Sequence, residues 1–221
     1  MHEKKNRVAS GWALGLAVGL AHALGALALA DELTPAAVPA AARLSGGDRG
    51  DRGWRAGALH AGLELGEGLG AVGFHTPFDH DIAIASLHLD RVLSPLVARD
   101  TWYSGHWEWL NEVFGGSQYY PMSRYVCGVM TGLRYDFATG MRWVPFAEAG
   151  VGLCATDIGG PDLSGNFQFN DQAGFGFYYF FRDDLAVTVH YRWLHLSNGG
   201  LIPPNHGINT QTLLAGLTWF F

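Results

Sequence analysis

Lysine is almost absent from this chain: Lys4 and Lys5 are the only two, and both fall in the first seven residues. With no basic cluster elsewhere, a nucleic-acid-binding surface is excluded. Cysteine is nearly as scarce, with Cys127 and Cys154 alone, which rules out a small scaffold stapled by several disulfides. Beyond residue 30 no run of 18 apolar residues occurs, so no helix of the mature chain is expected to span a bilayer. The glycine-rich stretches carry no Gly-x-x-x-x-Gly-Lys and are not phosphate loops.

What is present has to be reconciled with those absences. Of 221 residues, 48% are hydrophobic and 13% aromatic, with 31 glycines and only 15% charged residues. The basic opening Met1–Arg7, the apolar run from Gly11 and the small-residue step Ala28-Leu29-Ala30 read as a secretory signal peptide over 1–30. A retained membrane helix is the rival. Cleavage there would leave 11 arginines against 19 acidic residues, a net of about −8. Residues 31–53, with Pro35, Pro39 and a Gly/Asp/Arg run, lack periodicity and read as a flexible periplasmic leader.

From Trp54 the pattern changes to alternation. Eight period-two segments are expected at 54–65, 80–92, 106–114, 123–137, 142–155, 167–181, 184–197 and 208–221. Short turns at 137–141 and 182–184 oppose longer loops at 66–79, 115–122, 156–166 and 198–207, with the 93–105 connection as the exception. Aromatic residues collect near strand ends, as the interfacial girdles of a membrane barrel require. The expected fold is therefore all-β, an eight-stranded antiparallel transmembrane β-barrel over 54–221, with its short turns in the periplasm. Eight strands leave a lumen filled by side chains; Glu64, Glu108, Glu112, Arg134, Glu148, Gln172, His190 and Arg192 should pair there as a structural network. By parity Cys127 and Cys154 face opposite sides, so no disulfide is expected.

Chemistry concentrates in the segment ending Trp193-Leu194-His195-Leu196-Ser197-Asn198-Gly199-Gly200. Leu185, Val187, Val189, Tyr191 and Trp193 share one strand face, and His195 and Ser197 continue it. A base and a hydroxyl two residues apart on one face are the minimum a serine esterase needs. If the strand runs outward, both groups meet lipid at the level of the outer leaflet. Elsewhere, His75, Asp79, His80 and Asp81 match no firm metal-ligand spacing and read as a solvated loop. His206 reads as a loop residue.

His195-Leu196-Ser197-Asn198-Gly199-Gly200, followed by Pro204-Asn205-His206-Gly207-Ile208, is similar to the His-x-Ser-Asn signature and following loop of the PagL-type outer-membrane lipid A 3-O-deacylases. Phe167–Asp171 and Phe146–Gly152 resemble that family's preceding strands, so the likeness covers about 142–221. The resemblance implies a hydrolase that removes the 3-O-linked acyl chain of lipid A, with Ser197 as nucleophile and His195 as general base. It places oxyanion and substrate contacts at Asn198, Gly200, Asn205 and Phe169, and needs no metal or cofactor. Its partners would be lipopolysaccharide, outer-membrane lipids and, during insertion, the barrel assembly machinery, which the final Phe221 also suggests; a homodimer stays open. Where the family places the glutamate that orients the histidine, this chain has Asn209. If the turn at 182–184 holds three residues, Asp171 falls directly across from His195 and could substitute. The rival readings are a non-catalytic barrel and an exterior ligand-binding or adhesion barrel using loops 66–79 and 156–166.

Overall fold

The structure, a computed structural model, describes residues 53–71 and 79–221. The expected signal peptide, nearly all of the leader and His75 lie outside them. Eight strands form in chain order: β1 (Leu59–Gly70), β2 (Asp81–Val92), β3 (Gly105–Tyr120), β4 (Arg124–Phe137), β5 (Trp143–Thr156), β6 (Phe167–Arg182), β7 (Leu185–Ser197) and β8 (Ile208–Phe220). Each pairs antiparallel with its neighbour, and β1 pairs with β8, closing the barrel. Closure leaves no unpaired sheet edge.

Alternation builds the wall. On β4 and β5, Tyr125, Val129, Leu133, Trp143, Val151 and Leu153 point outward and are exposed, while Val126, Met130, Arg134, Phe146, Glu148 and Cys154 are buried. Cys127 faces out and Cys154 in, and both are free thiols, as parity required. An outward apolar belt of this kind around a packed interior is what a bilayer-spanning barrel needs.

Three expected boundaries move. β1 starts at Leu59 and not Trp54, because residues 53–58 turn across the mouth of the barrel: His60 Nε2 meets the Gly53 carbonyl at 2.6 Å, and the Trp54 ring packs against His60, His106 and Phe220. β1 also continues to Gly70, and β3 runs to Tyr120, which reduces the anticipated 115–122 loop to residues 121–123. The cause is the same in both: Gly66, Gly68, Gly115 and Gly116 erase the alternating signal while their backbones stay in the ladder. At Gly116 the fit requires glycine, since a Cβ would lie 2.1 Å from the Ala83 carbonyl oxygen.

The lumen is layered. At the end carrying residues 53–58 and 138–142, Val144, Phe146, Tyr178, Ala186 and Phe220 close the barrel, with Trp54 and Phe180 packed against them. Above them lies the ionic layer. Arg134 contacts Glu148 at 2.8 Å, Asp90 at 3.1 Å and the Tyr178 hydroxyl. Arg192 contacts Glu112 at 2.7 Å, Gln172 at 2.8 Å and Glu148 at 3.1 Å. His60 and Glu108 approach to 2.5 Å, and His190 lies between Glu64 and Glu148. All eight expected lumen residues are buried here, joined by His60, His88, Asp90, Asp136 and Tyr178. Towards the opposite rim the filling turns aliphatic, with Ile82, Ile84, Val126, Leu163, Leu194, Leu196 and Ile208 among its members.

Candidate active site

The candidate site lies on the outer face of the wall beside that aliphatic layer. On β7 the side chains of His190, Arg192, Leu194 and Leu196 are buried in the lumen, while Tyr191, Trp193, His195 and Ser197 face outward and are partly exposed. The expected placement of His195 and Ser197 on the outer surface is met. Their side chains are not hydrogen-bonded to each other, and Ser197 Oγ bonds no described residue. Catalytic contacts of this type commonly tighten only when substrate binds.

Asn209 is the residue paired with His195 in the β7–β8 ladder, and its Oδ1 lies 2.9 Å from His195 Nδ1. An amide oxygen only accepts, so Nδ1 carries a hydrogen, and in the neutral ring the lone pair falls on Nε2. That is the tautomer a general base requires. The Trp193 ring stacks on the imidazole at 5.7 Å between centroids and 10° between planes. Gly207 also abuts the ring: a Cβ there would lie 2.8 Å from His195 Cε1, and its φ of +75° suits glycine. The ring is thus fixed by a hydrogen bond, a stacked indole and a backbone edge.

Asp171 faces His195 across the β6–β7 pair and is exposed on the same outer surface. The route to this register differs from the anticipated three-residue turn. Arg182 pairs with Leu185, leaving a two-residue connection, and a bulge between Phe180 and Arg182 restores the expected pairing from Phe180 to Phe169. Asp171 makes no hydrogen bond with a described residue, so the imidazole is oriented by Asn209.

The loop after Ser197 is tied down by its own amides. Asn198 is buried; its Nδ2 donates to the Ser164 and Ile202 carbonyls at 2.8 and 2.7 Å, its Oδ1 accepts from Gly200 N at 2.8 Å, and its backbone N–H donates to Asn205 Oδ1 at 3.1 Å. Asn198 and Gly200 therefore spend their donors on the loop. The Asn205 amide NH₂ and the Gly199 N–H bond no described residue. Phe169, paired with Ser197, borders Gly199, where a Cβ would come within 3.3 Å of its ring.

His80, read from sequence as a solvated loop residue, is instead buried: Nδ1 meets Gln118 Oε1 at 2.6 Å and Nε2 meets Asp162 Oδ2 at 2.9 Å. Among the described residues no cluster of His, Cys, Asp or Glu could hold a metal ion. The stacking of Trp193 on His195 and the buried place of Asp162 escaped the sequence reading. Trp193 was detectable as the same-face neighbour of His195, whereas nothing periodic marks Asp162.

Residues 87–218 match the family model described as lipid A 3-O-deacylase (PagL). The chain belongs to the PagL family. A curated relative, lipid A deacylase PagL of Pseudomonas aeruginosa, is 39% identical over 82 residues, which is 36% of this chain and 44% of that protein. The match thus spans less than half the length of that relative. The crystal structure of the outer membrane enzyme PagL superposes with a TM-score of 0.52 at 21% identity, over 72% of this chain and 98% of that one. Neisserial surface protein A gives a TM-score of 0.46 at 13% identity, over 74% and 96%. The PagL-family match takes in β3–β7 whole, half of β2, most of β8, and the His195–Ser197 pair with both of its bordering loops.

Proposed function

We propose that the chain is an outer-membrane esterase that hydrolyses the 3-O-linked acyl chain of lipid A, with its site in the outer leaflet. The observation that carries this reading is the outward projection of His195 and Ser197, with the His195 Nδ1 hydrogen engaged by Asn209 and Nε2 left as a base. A site on the outer wall reaches an ester that never leaves the bilayer. A lumen sealed by aromatic, ionic and aliphatic layers offers a substrate no way in. The aromatic cap and residues 53–58 then occupy the periplasmic mouth, and loops 157–166 and 198–207 the exterior.

In the proposed cycle His195 Nε2 takes the Ser197 hydroxyl proton as Oγ attacks the ester carbonyl carbon. The carbonyl π electrons move to oxygen, and that oxyanion is received by the Asn205 amide and the Gly199 N–H. Collapse breaks the acyl carbon–sugar oxygen bond, and the imidazolium gives its proton to the departing sugar oxygen, which leaves as the hydroxyl. Water, deprotonated by the same nitrogen, then attacks the acyl-Ser197 ester; the Ser197 Oγ–acyl bond breaks, Oγ takes the proton back from the imidazolium, and the fatty acid is released. Phe169 borders the acyl path. No metal or cofactor enters any step.

Asn209 orients the imidazole but brings no charge to its protonated form. In a serine protease Ser-His-Asp triad, replacing the Asp by Asn costs about 10⁴-fold because the wrong tautomer results. Here Oδ1 accepts from Nδ1, so that loss does not apply in full. Two other groups support the imidazolium: the Trp193 face and, across the strand pair, the Asp171 carboxylate.

Mass spectrometry of lipid A from cells expressing the chain tests the reading. Loss of one hydroxyacyl chain is expected, and Ser197→Ala should abolish it. An unchanged profile from the wild-type chain would replace the proposal with a non-catalytic barrel.

A further inference from the structure

We propose that Asp162, in the loop between β5 and β6, is a positioning residue that holds His195 in place through Gly207. The inference rests on the esterase reading. Asp162 lies outside every strand yet is buried, and it uses both ends of its structure at once. Its carboxylate is anchored to the opposite part of the rim: Oδ2 meets His80 Nε2 at 2.9 Å, and the other nitrogen of that ring meets Gln118 of β3 at 2.6 Å. Its second oxygen meets His206 Nδ1 at 3.3 Å. Its backbone carbonyl accepts from both the His206 and the Gly207 N–H groups, each at 3.0 Å.

Gly207 is the backbone edge against His195, with its Cα so close that a methyl group there would stand 2.8 Å from Cε1. The chain of contacts therefore runs from a buried imidazole on the barrel rim, through one carboxylate and its own carbonyl, to the edge of the catalytic ring. The same loop supports the oxyanion side: Leu163 bridges Asn205, and the Ser164 carbonyl receives Asn198 Nδ2. Removing the carboxylate leaves the carbonyl acceptor in place chemically but no longer fixed in position. A shift of about 1 Å in a catalytic group can cost about a hundredfold in rate.

The test uses the full barrel purified into detergent micelles with lipid A as substrate, following fatty acid release and, by the heat-dependent gel shift, barrel folding. Asp162→Ala should fold and lose about ten- to a hundredfold in kcat with KM within about threefold of wild type. Asp162→Asn, which keeps one side-chain oxygen to accept from His80 or His206, should recover part of that loss. Gly207→Ala should also lower kcat by about tenfold or more, and the double variant should be little worse than the poorer single one, because both act on one ring. A variant that merely loosened a loop would instead multiply its loss with that of Gly207→Ala. If Asp162→Ala does not fold, the same comparison is made with His206→Ala, which removes the exposed half of the clasp. An active wild-type chain whose Asp162→Ala and His206→Ala variants keep kcat within about twofold overturns the positioning role alone. An inactive wild-type chain overturns the esterase reading and this role with it.

Discussion

His190 and His195 stand five residues apart on β7 and face opposite sides of the same wall. His190 is fully buried in the lumen, 3.4 Å from Glu64 and 3.1 Å from Glu148, with Arg192 beside it. It is enclosed by charge and reaches nothing outside the barrel. His195 has a neutral amide on Nδ1 and an indole on one face, and its side chain lies on the outer wall. The strand period alone sends one imidazole into the ionic layer of the lumen and the other to the outer wall, where the proposed chemistry would take place. Residue type does not separate them; the number of residues between them does.

The largest expected effects break this comparison cleanly. His195→Ala should lower kcat by about 10³-fold or more and leave resistance to unfolding almost unchanged. His190→Ala strands two buried carboxylates and should destabilise the barrel by about 3–5 kcal/mol, read as a lower denaturant midpoint, while the folded fraction still deacylates. If the two substitutions produced the same phenotype, the division of labour between the faces would be wrong.

Asn209 sharpens the outer half of the comparison. Asn209→Leu removes the acceptor for Nδ1 and should cost about a hundredfold in kcat. Asn209→Glu would place a charge beside the imidazolium and should raise kcat by about tenfold. Steady-state assays at one pH decide between orientation and charge: a Glu variant no faster than wild type would mean that Asn209 already provides all the ring needs.

Most of the barrel was legible because its outward face must be apolar along the whole membrane-spanning length, and β5–β8 keep that alternation. It faded where the lumen changes character. In β2 the inward side reads Ile82, Ile84, Ser86, His88 and Asp90, aliphatic near one rim and ionic lower down, while Ala83 and Ala85 on the outside are too small to mark a face. A fixed inside-polar rule cannot fit such a strand. The glycines of β1 and β3 hid strand as loop for a related reason: they carry backbone pairing without a side chain to report it. At the site, the His195–Ser197 pair and its partner across β8 were visible because pairing and parity are local. Asp162 was not, because its contacts to His80, Gln118 and His206 join loops and strands that are distant in sequence.

Asp171 carries a smaller expected effect. Its carboxylate lies across the strand pair from His195 without touching it, and a charge about 5 Å away in a hydrated setting is worth about 1 kcal/mol. Asp171→Asn should therefore slow turnover by about fivefold. In an Asn209→Glu background, where the imidazolium already has a direct counter-charge, the same substitution should matter less. Equal losses in the two backgrounds would show that Asp171 acts on something other than the imidazolium.

The smallest effect belongs to Trp193, and it tests whether the outer surface tunes the base or only exposes it. The indole lies parallel to the imidazole, so its π face would meet a cation once the ring takes the Ser197 proton in the proposed cycle. Such a contact at a partly exposed position is worth about 0.5–1 kcal/mol. Trp193→Leu keeps the side chain apolar and should lower kcat by about two- to fivefold, whereas Trp193→Phe should lower it less. Because the interaction grows with charge on the ring, it belongs to kcat and not to substrate binding; a change confined to KM would make Trp193 part of the lipid contact and leave the imidazolium to Asp171 and the Asn209 dipole.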